Sequence, residues 1–169
     1  MGNNKNKNET EDSFSKFLEF ITDRKDVYKY LHNTETQETA DKILKEGFDF
    51  ESHLDHTTDI VTGIDMIELK YFLIKRRRYG SYTIVIEIGK SIVDYYSRQL
   101  INTEYHFSEV LTTTEPTISD NDEPLYRLHK RFIKGYYDHN MNKCIENKYF
   151  DPFFHTKQFD NNLTKLIES

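Results

Sequence analysis

The segment Val27-Tyr28-Lys29-Tyr30-Leu31-His32-Asn33-Thr34 ends an apolar, aromatic run on an imidazole, with a hydroxyl two positions later. An amphipathic helix follows and stops at Gly47-Phe48. His32 and Thr34 are therefore expected at the mouth of a strand, beside a helix N-terminus whose unpaired N–H groups point outward. That chemistry suits an anionic or amide-bearing ligand such as a nucleotide. The same residues also have ordinary structural roles: a strand-end His bonded to backbone, and a Thr acting as a helix cap. A second constellation, His53-Leu54-Asp55-His56 with Asp59, offers imidazole and carboxylate of the kind that bind zinc, but it sits in a loop-like stretch with no cysteine partner. Cys144 carries no nucleophile signature and reads as a free buried thiol, and the 6 glycines form no phosphate-binding loop.

The elements that must position these residues follow from periodicity. Residues 1–12 are polar and Asn/Lys-rich, and are expected to form a disordered tail ahead of a single domain over 13–169. Phe14, Phe17, Leu18 and Ile21 recur at helical spacing. Tyr28–His32 reads as a strand. Thr34 is expected to open the next helix, with Gln37 as its capping-box partner, Ala40, Ile43 and Leu44 as its buried stripe and Gly47 as its stop. Residues 49–63 read as loop. A helix is expected over 64–78, with Ile64, Ile67, Tyr71 and Ile74 buried and Lys75-Arg76-Arg77-Arg78 complementing the dipole at its end.

Tyr82–Ile88 alternates as a strand, a helix follows over 90–100, and 102–114 holds one or two weak strands. After a polar loop over 115–124, Leu125–Tyr137 is expected to be a strand region. Phe159, Leu163, Leu166 and Ile167 suggest a closing helix. Strands and helices mix without βαβ regularity, which favours an α+β class. Net charge is −6, which argues against a nucleic-acid footprint over the whole surface, although Lys75–Arg78 is a local basic run. No segment approaches a membrane span, and a lone cysteine fits a reducing compartment, so a cytoplasmic protein is expected.

Three ordered segments resemble the ADP-ribosyltransferase-like fold, the group of bacterial mono-ADP-ribosyltransferase toxins and poly(ADP-ribose) polymerases. The first is Tyr30-Leu31-His32-Asn33-Thr34 with the later Ile43-Leu44-Lys45-Glu46-Gly47-Phe48. The second is Tyr71 with Tyr79-Gly80 ahead of strand 82–89. The third is Glu123-Pro124-Leu125-Tyr126-Arg127 running into Phe132-Ile133-Lys134-Gly135-Tyr136. The order His, Tyr, Glu is that of the family's His-Tyr-Glu branch. Asn33 stands where members commonly have Gly, and Asn121-Asp122-Glu123 replaces the Glu-x-Glu of side-chain-modifying members.

The resemblance implies two short, mostly antiparallel sheets forming a cleft, with NAD as the substrate. ADP-ribose would pass to a macromolecular acceptor, either protein or nucleic acid. It makes Glu123 the carboxylate that stabilises an oxocarbenium-like ribose, with His32 as the second catalytic residue. His32 and Thr34 would hold ribose or nicotinamide, Tyr71 or Tyr79 would stack on it, and Arg78 or its neighbours would face the pyrophosphate. Two other readings stand beside it. A non-catalytic inhibitor or immunity partner is motivated by 12 Tyr and 12 Phe. RNA or nucleotide end-processing is motivated by Lys75–Arg78.

Overall fold

The most regular apolar alternation in the chain, Tyr82–Gly89 (β4), forms the centre of the molecule and is buried along its whole length. A computed structural model describes residues 13–113 and 115–168; the expected tail over 1–12 lies outside them. Before β4 come α1 (13–22), β1 (Val27–Thr34), α2 (Gln37–Glu46), β2 (Phe48–Glu51), β3 (Asp59–Ile60) and α3 (Met66–Arg76). After it come α4 (Lys90–Gln99), β5 (Thr117–Ile118), β6 (Pro124–Leu128), β7 (Ile133–Asp138), β8 (Lys143–Glu146) and α5 (Lys157–Glu168).

All strand pairs are antiparallel, in a five-stranded sheet of order β3-β1-β4-β7-β8 and a three-stranded sheet of order β2-β6-β5. The α+β class is as expected. Side chains alternate across the large sheet and feed two cores. Tyr30, Ile84, Ile86 and Tyr136 face α2, α4, α5 and the small sheet. Leu31, Val85 and Tyr137 face α1 and α3 through Phe17, Ile21, Leu69 and Leu73. With both faces covered, β4 and β7 are buried along their whole length.

Several local expectations are corrected. Thr34 does not cap α2: it ends β1, and Thr36 accepts the hydrogen bond from the Thr39 N–H at 3.2 Å. Residues 49–63 are not a featureless loop but carry β2, a 3₁₀ turn over Leu54–His56 and β3. Strand β2 alternates the buried Phe48 and Phe50 with the exposed Asp49 and half-buried Glu51, a pattern of only four residues and too short to stand out from the polar stretch that follows. The expected strand region Leu125–Tyr137 is two strands in different sheets, separated by the 3₁₀ turn Lys130–Phe132, which buries Phe132 completely. Residues 102–113 hold a 3₁₀ turn at Phe107–Glu109 and one isolated bridge, Thr112 to Leu128, rather than a named strand.

Helix α3 turns the opposite face inward. Leu69 and Leu73 are buried, whereas Ile67, Tyr71 and Ile74 are 82%, 69% and 67% exposed. Both sets have helical spacing; packing against Leu31, Val85 and Phe17 selects Leu69 and Leu73.

Candidate functional site

His32 stands where the two sheets meet. Strand β1 delivers it one residue before the buried Asn33 and two before Thr34. Its Nδ1–H donates to the Thr57 carbonyl at 2.7 Å, which fixes the tautomer and leaves Nε2 as an acceptor. Its ring meets the Phe48 ring edge-on, centroids 4.8 Å apart, joining β1 to the start of the small sheet. Burial pushes the imidazole pKa down, opposed by the Thr57 bond and reinforced by Arg76, so His32 is neutral at pH 7.

Two cavities share His32 as a wall. One, of about 280 Å3, is bounded by Thr34, Thr39 and Lys42 of the β1–α2 unit and by Gly47, Asp49 and Arg127. Gly47 is required there. Its φ is +113°, its N–H caps Ile43, and a Cβ would lie 2.3 Å from the Leu128 carbonyl oxygen. Arg127 is already engaged, with Nε to Asp49 at 2.7 Å. The other cavity, of about 470 Å3, is bounded by Asn33, Asp55, His56, Thr57, Arg76 and Tyr79 among others. Its volume falls in the usual range of small-molecule sites.

Two residues that line the larger cavity carry buried polar atoms without hydrogen-bond partners. The Asn33 amide donates to the Gly80 carbonyl at 3.0 Å, but its buried Oδ1 has no hydrogen bond. Arg76 pairs with Asp59 and lies over the Phe72 and Tyr79 rings at 5.6 and 5.4 Å, yet its buried Nε is also without a partner. Orphaned buried groups of this kind carry a desolvation cost. Gly80 holds the Tyr79 turn against β1, with φ +143° and a would-be Cβ only 2.1 Å from the Thr34 carbonyl oxygen.

The expected site residues separate. His32, Thr34 and Tyr79 line these cavities. Arg78 does not, but its guanidinium bonds the Tyr79 hydroxyl at 2.7 Å and stacks on that ring at 4.7 Å, so it holds Tyr79 at the rim. Tyr71 points to solvent on the outer face of α3, contrary to the expectation of a core or stacking position. Glu123 lies immediately before β6, outside both cavities. Its carboxylate accepts from the Ser52 hydroxyl at 2.9 Å.

Ser52 has φ +59° and is the centre of a γ-turn closed by the His53 N–H to the Glu51 carbonyl at 2.6 Å. Positive φ at a serine stores strain that the neighbouring ladder must hold in place. Ser52 is four residues along the extended chain from Phe48, placing Glu123 on the order of 13 Å from the His32 contact at ~3.3 Å per residue.

The histidine-rich stretch is used differently from a metal site. The His53 ring lies 4.8 Å from His56 and 5.1 Å from His106 between centroids, and His106 Nε2 is 3.4 Å from Asp55. Among the described residues no group of three such side chains is arranged to hold a metal ion, and Asp59 is taken by Arg76. Asp55 and His56 instead wall the larger cavity. Asn33, Thr57 and Asp55 were not legible as cavity residues, because their role arises only when β3 folds the 52–60 stretch against β1. Cys144 is a free, half-buried thiol whose pKa burial pushes up to about 11, the form least suited to a nucleophile.

No protein-family model matches the chain, and neither a curated protein nor a solved structure is significantly similar to it. Among the described residues no helix is long and apolar enough to cross a membrane.

Proposed function

We propose that this chain binds NAD in the cleft on either side of His32 and transfers ADP-ribose from it, as a member of the ADP-ribosyltransferase-like fold. The observation that carries the reading is His32 itself: a neutral imidazole, its tautomer fixed by Thr57, shared by two adjoining cavities. One cavity offers Lys42 and Thr39 to phosphate oxygens. The other offers the Tyr79 ring for stacking on a base of the dinucleotide.

Glu123, held by Ser52 outside both cavities, is reached where the dinucleotide extends from the Lys42 cavity along β2 and β6, and there supplies the negative charge opposite a ribose that becomes oxocarbenium-like as the C–N bond to nicotinamide breaks. The bonding pair leaves with nicotinamide. A nucleophile of the acceptor then adds to C1′ and gives up its proton.

Isothermal titration with NAD, combined with a nicotinamide-release assay, tests this. His32→Ala is expected to weaken NAD binding about ten-fold or more, the effect of deleting a well-placed hydrogen bond and its packing. Glu123→Gln is expected to keep binding while turnover falls about 10²-fold or more, as when a transition-state group is removed. Wild-type protein that neither binds nor cleaves NAD overturns the reading.

A second reading, an interaction protein, is favoured by one observation. Ile67, Tyr71 and Ile74 form an exposed apolar stripe on α3, bordered by the exposed Lys70, Lys75, Arg77 and Arg78. Such a patch is typical of a partner surface, here for a partner with acidic groups. An Ile67→Ser/Ile74→Ser protein that still recovers every partner the wild type recovers would exclude it.

A further inference from the structure

A third cavity, of about 360 Å3, lies along the face of β1 that His32 does not use. Lys29 and His32 differ by three residues, so their side chains leave opposite faces of the strand. The cavity floor is apolar, formed by Ile21 of α1, Val27 of β1, and Val61 and Ile64 of the turn after β3. That turn is closed by the Ile64 N–H to the Val61 carbonyl at 3.3 Å, with Gly63 at φ +74°. Against the floor stand Arg24, Lys25, Lys29 and Lys90, and among the described residues no carboxylate lines the cavity.

Lys29 gives the site its depth. It is only 6% exposed, and its Nζ donates to the Ile21 carbonyl. Burial pushes its pKa down, with Glu87, Asp23 and Asp26 pulling up and Lys134 pushing down. Glu87 is its partner in register across the β1–β4 ladder, but Glu87 bonds Lys134 at 3.1 Å through Oε2 and leaves Oε1 without a hydrogen bond. Lys134 also bonds Asp23 at 2.6 Å, and Arg24 bonds Asp26 at 3.0 and 2.8 Å. The groups that line the cavity or pair with it are thus Arg24, Lys25, Lys29, Lys90 and Lys134 against Asp23, Asp26 and Glu87. That is an excess of two positive charges in a chain whose net charge is −6. Thr62 adds a donor: its hydroxyl oxygen accepts from the Lys29 N–H at 2.8 Å, which leaves its own proton for a ligand.

The geometry points to a binding site for a phosphate monoester with an apolar body. The phosphate dianion matches the local charge excess and takes the ammonium and hydroxyl donors. The esterified group covers Ile21, Val27, Val61 and Ile64. The site is independent of the NAD cleft, because the sheet separates Lys29 from His32.

Titration of the full-length protein with phenyl phosphate and with inorganic phosphate, at matched ionic strength, tests it. Phenyl phosphate is expected to bind saturably and about ten-fold tighter than inorganic phosphate, the difference being the buried ring. Lys25→Gln/Lys90→Gln changes residues at the cavity rim and is expected to weaken it about ten-fold through loss of two charge-assisted donors. Lys29→Met is expected to abolish it, and should that variant misfold, the Lys25/Lys90 pair decides. His32→Ala is expected to leave it unchanged. No saturable binding, equal affinity in the Lys25/Lys90 variant, or loss of binding in His32→Ala would overturn the inference.

Discussion

At the scale of single residues, the cleft depends on two close approaches that only glycine permits, at Gly47 and at Gly80. Gly80 lets the 77–79 turn lie against the end of β1, so that its carbonyl takes the Asn33 amide and Tyr79 reaches the cavity rim. Gly80→Ala places a methyl group on the Thr34 carbonyl at a φ that L-residues avoid. It is expected to cost about 1–3 kcal/mol in a urea titration and to weaken ligand binding at the same time. Ser52 differs in that its strain is retained without glycine, and its hydroxyl is bonded to Glu123. Ser52→Gly relaxes the turn but removes the hydroxyl. Stability within about 0.5 kcal/mol of wild type, with reduced turnover of NAD, is the expected result; full turnover would show that Ser52 does not position Glu123.

At the scale of elements, α3 and the β6–β7 segment show how packing chooses between equivalent patterns. Leu69 and Leu73 are buried against β1, β4 and α1, whereas Ile67, Tyr71 and Ile74 are left in solvent. Leu73→Ala is therefore expected to cost about 2–5 kcal/mol, and Ile67→Ser no more than about 0.5 kcal/mol, by the same denaturation measurement. The reverse order would place the helix in the orientation that periodicity alone suggests. Between β6 and β7, His129 caps the turn by accepting from the Arg131 N–H at 3.1 Å, and Phe132 fills the core between the sheets. A run that reads as one long strand thus becomes the corner through which the chain changes sheets.

At the scale of the whole molecule, burial of titratable groups sets the response to pH. Burial, with Lys130 and Arg131 nearby, holds His129 down at about 4; burial, with Arg77 nearby, does the same for His139. The unfolded chain takes up these protons near pH 6.5, before the folded one does. Their contribution to stability is therefore complete above about pH 6.5 and is lost as pH falls toward about 4. Glu87 and Glu109, whose pKa values burial raises, act in the opposite sense, since the folded state protonates them first as pH falls. The comparison that separates the two effects is the urea midpoint of wild type and His139→Gln at pH 7 and pH 5. The variant is expected to lose less between those values, because its residue 139 no longer titrates. An identical loss would mean that His139 is not kept neutral by the fold.

The sequence alone determined what local chemistry can determine. The alternation of Tyr82–Ile88, the burial of Ala40 and Ile43, the Gly47 stop and the strand that carries His32 depend on steric and periodic rules acting within about ten residues, and each is present, although the strand runs on to Thr34 and Leu44 is only half-buried. Tertiary structure decided the rest. Which face of α3 is buried, where β6 gives way to β7, and that the 52–60 stretch folds back onto β1 to give His32 its Thr57 partner all depend on contacts between residues far apart in sequence. Tyr71 and Tyr79 looked equivalent in the sequence. Burial of the Leu69–Leu73 face of α3 leaves Tyr71 in solvent, because only one face of a helix can meet the sheet that packs against it, whereas the close approach at Gly80 holds the 77–79 turn and sets Tyr79 at the rim of the cleft.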